Sequence, residues 1–425
     1  MKLLAVGDIH LGRLPTRIPE DFALHSTELG PAAAWRGAVD LAIHEQVRAV
    51  LLAGDVVESE RDFFEGFREL KTGIEKLTVE GIEVIAVAGN HDVEVLPRLA
   101  KTLGGESGFT LLGEGGVWQS HSLEDGTSQV RIRGWSFPKR AVNASPLSGA
   151  RFDRDAGIEL GLLHCDLGQK KSDYAPVTRA ELTQSGLDGW LLGHIHAPHA
   201  LTADNLIGYL GCLTGMDPGE PGAHGPWLID IGEGRIREVR QLPIAPLRWQ
   251  ALRVDLHALE DAGDLEQVLI AEAEQLDHAL FAHGPAPKAI GLRVKFVGQP
   301  AHEGAIANCR KGVHFPIGDR HYFVEHIEAE LLPEVGLEEL ATRKDPLGLL
   351  ASRLLLLDRP ADDPDRQALI ESASKRFTER LQNARWNGLE SNADRCAEEA
   401  VIEQLRAAGT AALHKLFAQQ DGALG

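Results

Sequence analysis

Five short stretches of the chain are almost entirely hydrophobic, and each is about the length of a strand. They cover residues 2–6, 49–53, 84–88, 160–163 and 190–192. Apolar runs without polar alternation are typical of strands covered on both faces, as in parallel sheets. We therefore predict five buried strands, each ending at a polar or glycine-containing turn.

Between these runs the apolar residues recur at helical spacing. Residues 31–47 begin with a proline and carry alanines and leucine on one face, which predicts a helix. A second helix is predicted at 60–77, with an apolar face made of Phe63, Phe64, Phe67, Leu70, Ile74 and Leu77. Further strands are predicted at 117–118, 130–135 and 206–210, and a hairpin at 227–239. Two sheets with helices outside predict an α/β fold, a four-layer α-β-β-α sandwich.

At 425 residues the chain is too long for one ordinary hydrophobic core. Prolines at 243 and 246 mark a boundary after the sandwich, and strand and helix patterns resume beyond them. A leucine-rich, helical pattern follows from residue 337. We predict a catalytic domain at 1–242, a small α+β capping domain at 247–332 and a helical C-terminal region at 337–425.

Composition and charge narrow the class of protein. Met1 leads straight into a strand, no apolar run reaches membrane-spanning length, and the four cysteines form no CxxC pair. We expect a cytoplasmic protein with reduced thiols and no membrane partner. The formal net charge of -20 opposes unaided binding to nucleic acid, whose phosphates attract basic surfaces.

Metal-binding residue types follow all five apolar runs. Strand ends in open sheets are where such side chains converge on a site. The residues are Asp8 and His10, Asp55, Asn90 with His91 and Asp92, His164, and His194 with His196. Oxygen and imidazole donors without thiolate suit manganese, iron, zinc or magnesium. Two such ions can clamp a phosphate and lower the pKa of a water molecule.

This ordered set resembles the calcineurin-like metallophosphoesterases, whose pattern is D-x-H, G-D, G-N-H-[DE], a lone H and G-H-x-H. The resemblance implies two divalent ions, with manganese expected first. It implies one ion on Asp8, His10, Asp55 and His196, and the other on Asp55, Asn90, His164 and His194. It also implies that His91 donates a proton to the leaving oxygen or steadies the phosphate, with Asp92 orienting the His91 ring.

A narrower resemblance, to the SbcD/YhaO-type DNA repair exonucleases, covers nearly the whole chain. It is carried by Gly7–Gly12, by the blocks around His164 and His196, and by Tyr174–Val177. It implies DNA as substrate and a partner ATPase of the SbcC type, related to the SMC proteins, docked on the C-terminal helices. The sequence leaves open whether the chain forms a homodimer.

One position departs from the narrower pattern. Break-repair nucleases commonly have a histidine three residues after the bridging aspartate, where this chain has Glu58. Glu58 is either a solvated loop acid or a negative charge facing the substrate. In the second case it disfavours a DNA phosphate there.

Three hypotheses follow for the function. The leading one is a two-metal phosphodiesterase acting on DNA ends, a 3′ exonuclease working with an ATPase in double-strand-break repair. The second keeps the chemistry and takes a small phosphodiester or nucleotide, which the acidic charge favours. The third is a subunit that regulates a partner ATPase, and the complete set of ligand-type residues argues against it.

Overall fold

The computed structural model describes most of the chain. The described residues are 1–58, 63–103, 108–126, 128–154, 157–169, 171–256, 265–282, 286–298, 302–309, 313–331, 336–381 and 398–421. Contacts divide the chain into two compact units. The first comprises Met1–Val254, Asp264–Lys295 and Cys309–Glu328, and the second Asp255–Gly263, Phe296–Asn308 and Ala329–Gly425. The domain boundaries predicted from the sequence stay predictions.

Fifteen strands lie in the described residues. They are β1 (Lys2–Val6), β2 (Ala49–Leu52), β3 (Glu83–Ala86), β4 (Phe109–Leu111), β5 (Gln119–Asp125), β6 (Ser128–Trp135), β7 (Ile158–His164), β8 (Gly189–Gly193), β9 (Ile207–Tyr209), β10 (Trp227–Gly232), β11 (Arg235–Gln241), β12 (Leu247–Asp255), β13 (Ala289–Gly298), β14 (His314–Ile317) and β15 (Arg320–Leu331).

The helices of the described residues follow the same chain order. They are α1 (Ser26–Leu29), α2 (Pro31–His44), α3 (Phe63–Val79), α4 (Val95–Leu103), α5 (Arg179–Gln184), α6 (Leu265–Phe281), α7 (Glu303–Asn308), α8 (Leu337–Ala341), α9 (Pro346–Leu356), α10 (Pro364–Leu381) and α11 (Glu398–Asp421). Residues 60–62, where the second predicted helix was expected to begin, lie outside the described residues. No helix in the described ranges is long and apolar enough to cross a membrane.

Two sheets form the centre of the first unit. One has the order β11-β10-β1-β2-β3-β4, with β1 to β4 parallel, and the other has the order β5-β6-β7-β8-β9, with β6 to β9 parallel. Alternate residues of the first sheet, such as Leu3 and Leu51, pack against Ile132 and Leu162 of the second. The shared core is apolar because both sheets direct one face into it.

Helices cover the outer faces of both sheets. Trp35 of α2, Leu70 of α3 and Leu96 of α4 share a core with the outer face of the first sheet. Leu182 of α5 packs with the outer face of the second sheet. The predicted α/β fold with an α-β-β-α sandwich is therefore confirmed.

Two local predictions were wrong. Phe64, expected on the buried face of α3, is 86% exposed, because the buried face of that helix runs through Leu70, Ile74 and Leu77. Residues 117–118 precede β5 instead of forming a strand. The predicted hairpin is present as β10 and β11, and it extends the first sheet beside β1.

The rest of the chain combines one more sheet with helices. A four-stranded sheet has the order β12-β13-β15-β14, and α6 lies between β12 and β13 in the chain. In the second unit, α8 to α11 surround an apolar cluster that includes Leu347, Leu354, Val401 and Leu413. These segments supply the α+β and helical elements expected after residue 242.

Candidate metal centre

The predicted ligand-type residues come from the carboxyl ends of strands in both sheets. Asp8, Asp55 and Asn90 follow β1, β2 and β3 of the first sheet. His164 ends β7 and His194 follows β8, both in the second sheet. The facing sheets therefore bring five loops to one place.

Asp8, His10 and His196 form a first group of donor atoms. One ligand-type atom from each lies within 4.8 Å of the others. Nε2 of His10 lies 3.1 Å from Nε2 of His196. Imidazole nitrogens bind divalent ions at about 2 Å, so donors that share one ion lie about 3 Å apart.

Asp55, His164 and His194 form the second group. Nε2 of His164 lies 3.3 Å from Oδ2 of Asp55 and 3.1 Å from Oδ1 of Asn90. Oδ2 of Asp55 also lies 4.0 Å from Nε2 of His10, so this carboxylate stands between the two groups. The arrangement fits the predicted division, with Asp55 shared.

The backbone at this centre is strained. Four non-glycine residues have positive φ angles there, namely Asp8 at 38°, His10 at 53°, Asp55 at 49° and His194 at 109°. Such conformations are uncommon for residues with a β-carbon and cluster at functional sites. Hydrogen bonds hold the turns, because the amide of His194 donates to Asp8 Oδ1 at 2.9 Å and the amide of His91 donates to Asp55 Oδ1 at 2.9 Å.

Contacts at Nδ1, the ring nitrogen opposite the proposed metal-binding Nε2, orient two of the imidazoles. Nδ1 of His164 lies 3.1 Å from the carbonyl oxygen of Ala53, and Nδ1 of His196 lies 2.5 Å from Oε1 of Glu220. A proton on each Nδ1 completes these hydrogen bonds and leaves the Nε2 lone pair for an ion.

Burial and charge set the protonation of the carboxylates. Burial raises the pKa of Asp8, which is almost completely enclosed. Burial also opposes charge on Asp55, but the adjacent His164 imidazole holds the pKa of Asp55 well below its usual range. Buried carboxylates of this kind need a positive partner, which a bound cation supplies.

Asp92 makes different contacts from those expected. We predicted that it orients His91, but its Oδ1 accepts a hydrogen bond from the amide of Gly89 and its Oδ2 from the amide of Val56, both at 2.7 Å. The side chain is completely buried, and burial beside Asp55 raises its pKa to about 7. Asp92 therefore ties together the loops that carry Asp55 and Asn90, and the prediction that it orients the His91 ring was wrong.

Glu58 occupies the position expected for Asp92. Its Oε1 lies 2.9 Å from Nδ1 of His91, and its Oε2 lies 3.4 Å from Nδ1 of His10. The side chain is 15% exposed, so Glu58 is a residue of the site rather than a solvated loop acid. Its contacts with His10 and His91 hold the pKa of Glu58 well below its usual range, and the contact with Glu58 raises the pKa of His91.

Two further acids reach the centre. Glu220 contacts His196 as described, and Oδ1 of Asp166 lies 3.4 Å from Nε2 of His194. Asp166 stands two residues after His164, within a segment that the sequence had already singled out. Glu220 comes from the loop between β9 and β10, and no motif around it indicated a role.

The donor set fits two divalent ions. Imidazole nitrogens, carboxylates and one amide oxygen converge in two adjoining groups, with no thiolate among the predicted ligands. Asp8, His10, Asp55 and His196 would hold one ion, and Asp55, Asn90, His164 and His194 the other. The donors are compatible with manganese, iron, zinc or magnesium.

Comparison with known proteins shows what the chain is similar to. Residues 1–198 match the family model described as calcineurin-like phosphoesterase. The matched part of the chain contains Asp8, His10, Asp55, Asn90, His164, His194 and His196, so the comparison shows that this part is similar to calcineurin-like phosphoesterases.

A curated relative is the uncharacterized metallophosphoesterase YhaO of Bacillus subtilis (strain 168), with 29% identity over 247 residues. The match spans 56% of this chain and 58% of the relative. Membership of the narrower SbcD-type branch stays a prediction.

Two solved structures match this chain with low TM-scores and low sequence identity. A putative 5′-nucleotidase from Staphylococcus aureus, in complex with α-ketoglutarate, has a TM-score of 0.37 and 14% identity, over 65% of this chain and 58% of that one. A dimetal phosphatase from Danio rerio has a TM-score of 0.34 and 12% identity, over 56% of this chain and 96% of that one.

Proposed function

We propose that this protein hydrolyses phosphodiester bonds with the help of two divalent ions. The observation that carries the proposal is the convergence of two donor groups that meet at Asp55. When bound, two such ions clamp a phosphate and lower the pKa of a water molecule. The protein's own part is to hold the metal-ligating side chains in fixed positions and to supply a proton.

His91 is the residue proposed to supply that proton. Its ring lies 5.2 Å from the ring of His10, and its side chain is 41% exposed. Because Nδ1 contacts Glu58, Nε2 is the nitrogen available to a substrate. A proton held there would pass to the leaving oxygen as the ester bond breaks.

The proposed substrate is the end of a DNA strand, cleaved from its 3′ end during double-strand-break repair, with manganese as the metal. Support comes from the sequence blocks around His10, His164 and His196, which resemble SbcD-type exonucleases. The same resemblance supports an SbcC-like ATPase partner on the C-terminal helices, α8 to α11. In α9, Leu349 is 59% exposed and offers an apolar contact on this region.

A second candidate is a small phosphodiester or nucleotide. The specific observation that favours it is Glu58, whose carboxylate lies within the site beside His91. Together with the net charge of -20, this acid adds to repulsion of a long polyanion. A small substrate brings fewer phosphates close to the Glu58 carboxylate.

A panel of substrates tests the proposal and separates the two candidates. Full-length protein with Mn²⁺ is assayed on end-labelled duplex and single-stranded DNA, cyclic nucleotides, nucleoside monophosphates and bis-p-nitrophenyl phosphate. We expect His164→Ala and His91→Ala to lose activity, while His121→Gln, altered at a half-buried histidine of β5, keeps it. Wild-type release of nucleotides from 3′ ends supports DNA as substrate, and turnover of small esters alone supports the second candidate. Equal activity of wild type and His164→Ala on every substrate contradicts phosphoester hydrolysis at this centre.

The partner proposal has its own test. Full-length protein is co-expressed with a coiled-coil ATPase of the SbcC type, and co-purification is compared for wild type, Leu349→Glu and Gln367→Glu. Leu349→Glu should lose the complex because it places a charge in an apolar contact, whereas the exposed Gln367 of α10 should tolerate the change. Retention of the complex by both variants contradicts docking through this face of α9.

A further inference from the structure

One cavity is lined by none of the proposed metal ligands. A cavity of about 80 Å³ is formed where residues 222–224, residues 243–248 and the end of α6 meet. Most of its wall is apolar and includes Ala245, Leu280 and Phe281. Among the described lining residues, Arg248 is the one that carries a full charge, because the other titratable residue there is His224, whose pKa is lowered by burial.

Arg248 lacks a neutralising partner within the described part of the chain. Its side chain is half-buried, and its Nε donates to Oε1 of Gln250 at 3.2 Å. The guanidinium carbon lies 5.5 Å from the centre of the Phe281 ring. Among the described residues, no carboxylate lies within ion-pairing distance of Arg248, and burial lowers its pKa.

The same aromatic ring offers an internal comparison. The guanidinium of Arg320 lies 5.4 Å from the Phe281 ring, but Arg320 forms an ion pair with Asp277. Nε of Arg320 donates to Oδ1 of Asp277 at 2.6 Å. Two arginines thus contact one ring, and only one of them has a carboxylate partner in the described residues.

A partly desolvated charge is costly unless a counter-charge accompanies it. The guanidinium group presents a planar fork of donors that matches oxyanions. A cavity needs about 10–15 Å³ on the same measure to hold one water molecule, so this one has room for a group of several heavy atoms.

We propose that the cavity beside Arg248 binds a phosphate-sized oxyanion, for which Arg248 is the counter-charge. This site is additional to the metal centre and does not depend on the activity proposed there. The apolar wall covers part of the anion, and the guanidinium fork supplies its hydrogen bonds.

Counting bound phosphate tests the proposal without interference from the metal centre. Full-length, metal-loaded protein is equilibrated with radiolabelled inorganic phosphate, and the number of bound equivalents is compared between variants. Arg248→Met removes the charge and keeps much of the side-chain volume. Ala223→Leu keeps Arg248 and fills the cavity from a half-buried position. Arg235→Met, at an exposed arginine in β11, is the matched control. His224 stays unchanged because its Nε2 lies 3.1 Å from the carbonyl oxygen of Glu220, which contacts His196.

The expected result is that Arg248→Met and Ala223→Leu each bind one equivalent fewer than wild type, or bind that equivalent at least about tenfold more weakly. Arg235→Met should match wild type, and whatever phosphate the metal centre holds is common to all four proteins. Circular dichroism without phosphate checks that each variant is folded. If Arg248→Met does not fold, the test rests on the comparison of Ala223→Leu with wild type. Equal numbers and affinities in wild type and the folded cavity variants overturn the proposal.

Discussion

Glu58 and His91 form the contact that sets the orientation of the proposed proton donor. Oε1 of Glu58 lies 2.9 Å from Nδ1 of His91, while the second oxygen of the same carboxylate faces His10 at 3.4 Å. One acid therefore contacts both the proposed proton donor and a proposed metal ligand. In the pattern of the break-repair nucleases this position is commonly a histidine, so the contact is a departure of this sequence from that pattern.

Replacing Glu58 by glutamine should lower kcat on any ester that the protein cleaves, by about tenfold to a hundredfold, with a smaller change in KM. The neutral amide no longer presents a negative charge to the two imidazoles, so the proton and the ring orientation of His91 are held less firmly. Steady-state kinetics on bis-p-nitrophenyl phosphate measures the effect, and Glu65→Gln, at an exposed acid of α3, is the matched control.

A double substitution shows whether Glu58 acts through His91. If it does, Glu58→Gln should cost little further activity in a His91→Ala background, because residues that act as a unit are not additive. A full additional loss together with a lower metal content would mean that Glu58 acts through His10 instead.

Asp92 should matter for stability more than its sequence position beside His91 suggests. Asp92→Ala removes both acceptors of buried amides, at Gly89 and Val56, and leaving such donors unpaired costs about 1–3 kcal/mol each. Thermal unfolding of the metal-free protein should show a clear drop in Tm, whereas Asp204→Ala, at an exposed aspartate, should show almost none. An unchanged Tm for Asp92→Ala would contradict this role.

Glu220 should control how tightly one ion is held. Its Oε1 lies 2.5 Å from Nδ1 of His196, and loss of such an outer contact typically weakens metal binding by 10–100-fold. Competition with a chelator should therefore strip Glu220→Gln at lower chelator concentration than wild type. Glu233→Gln, at the tip of the β10–β11 hairpin, is the control and should behave as wild type. Equal affinity in all three proteins would mean that the contact does not tune the ligand.

The buried strands show which part of the fold could be predicted from the sequence. Continuous apolar runs predicted β1, β2, β3, β7 and β8, because strands buried on both faces carry few polar residues. The apolar runs alone did not predict how these strands are divided between the two sheets, since strand pairing depends on contacts between distant segments. The centre lies where the ends of two facing sheets meet, which local pattern alone does not specify.

The candidate site divides in the same way. Donor residues within short motifs, such as His194 and His196, could be predicted because each motif occupies a single turn. Glu220 could not, because it reaches His196 from a separate loop with no motif of its own. The role predicted for Asp92 rested on its position next to His91 in the sequence. Neighbouring side chains leave the backbone in different directions, and the buried carboxylate of Asp92 accepts hydrogen bonds from nearby backbone amides instead.

Gly193 should tolerate no larger residue. A β-carbon at this position would overlap the carbonyl oxygen of Ala53 and approach Nδ1 of His164 at 2.9 Å. Gly193→Ala should therefore displace His164 and reduce both metal content and activity. Gly304→Ala is the control, because nothing lies near its β-carbon position and alanine favours the helix α7. Full metal content in Gly193→Ala would show that the close approach is not required.

The pair of Asp277 and Arg320 should make stability depend on pH. Burial opposes charge on Asp277, but hydrogen bonds from Arg320 and Tyr322 hold its pKa below the usual value for aspartate. A depressed pKa means that the folded state binds the proton less readily than the unfolded state does. The stabilisation is therefore complete above the unfolded pKa of about 4 and is lost as the pH falls through the lower folded value. Asp277→Asn should lower Tm at pH 7, and the difference from wild type should shrink as the pH falls below about 4. Thermal unfolding of the metal-free protein from pH 7 downward measures it, and a difference that stays constant across that range would contradict the ion pair as its source.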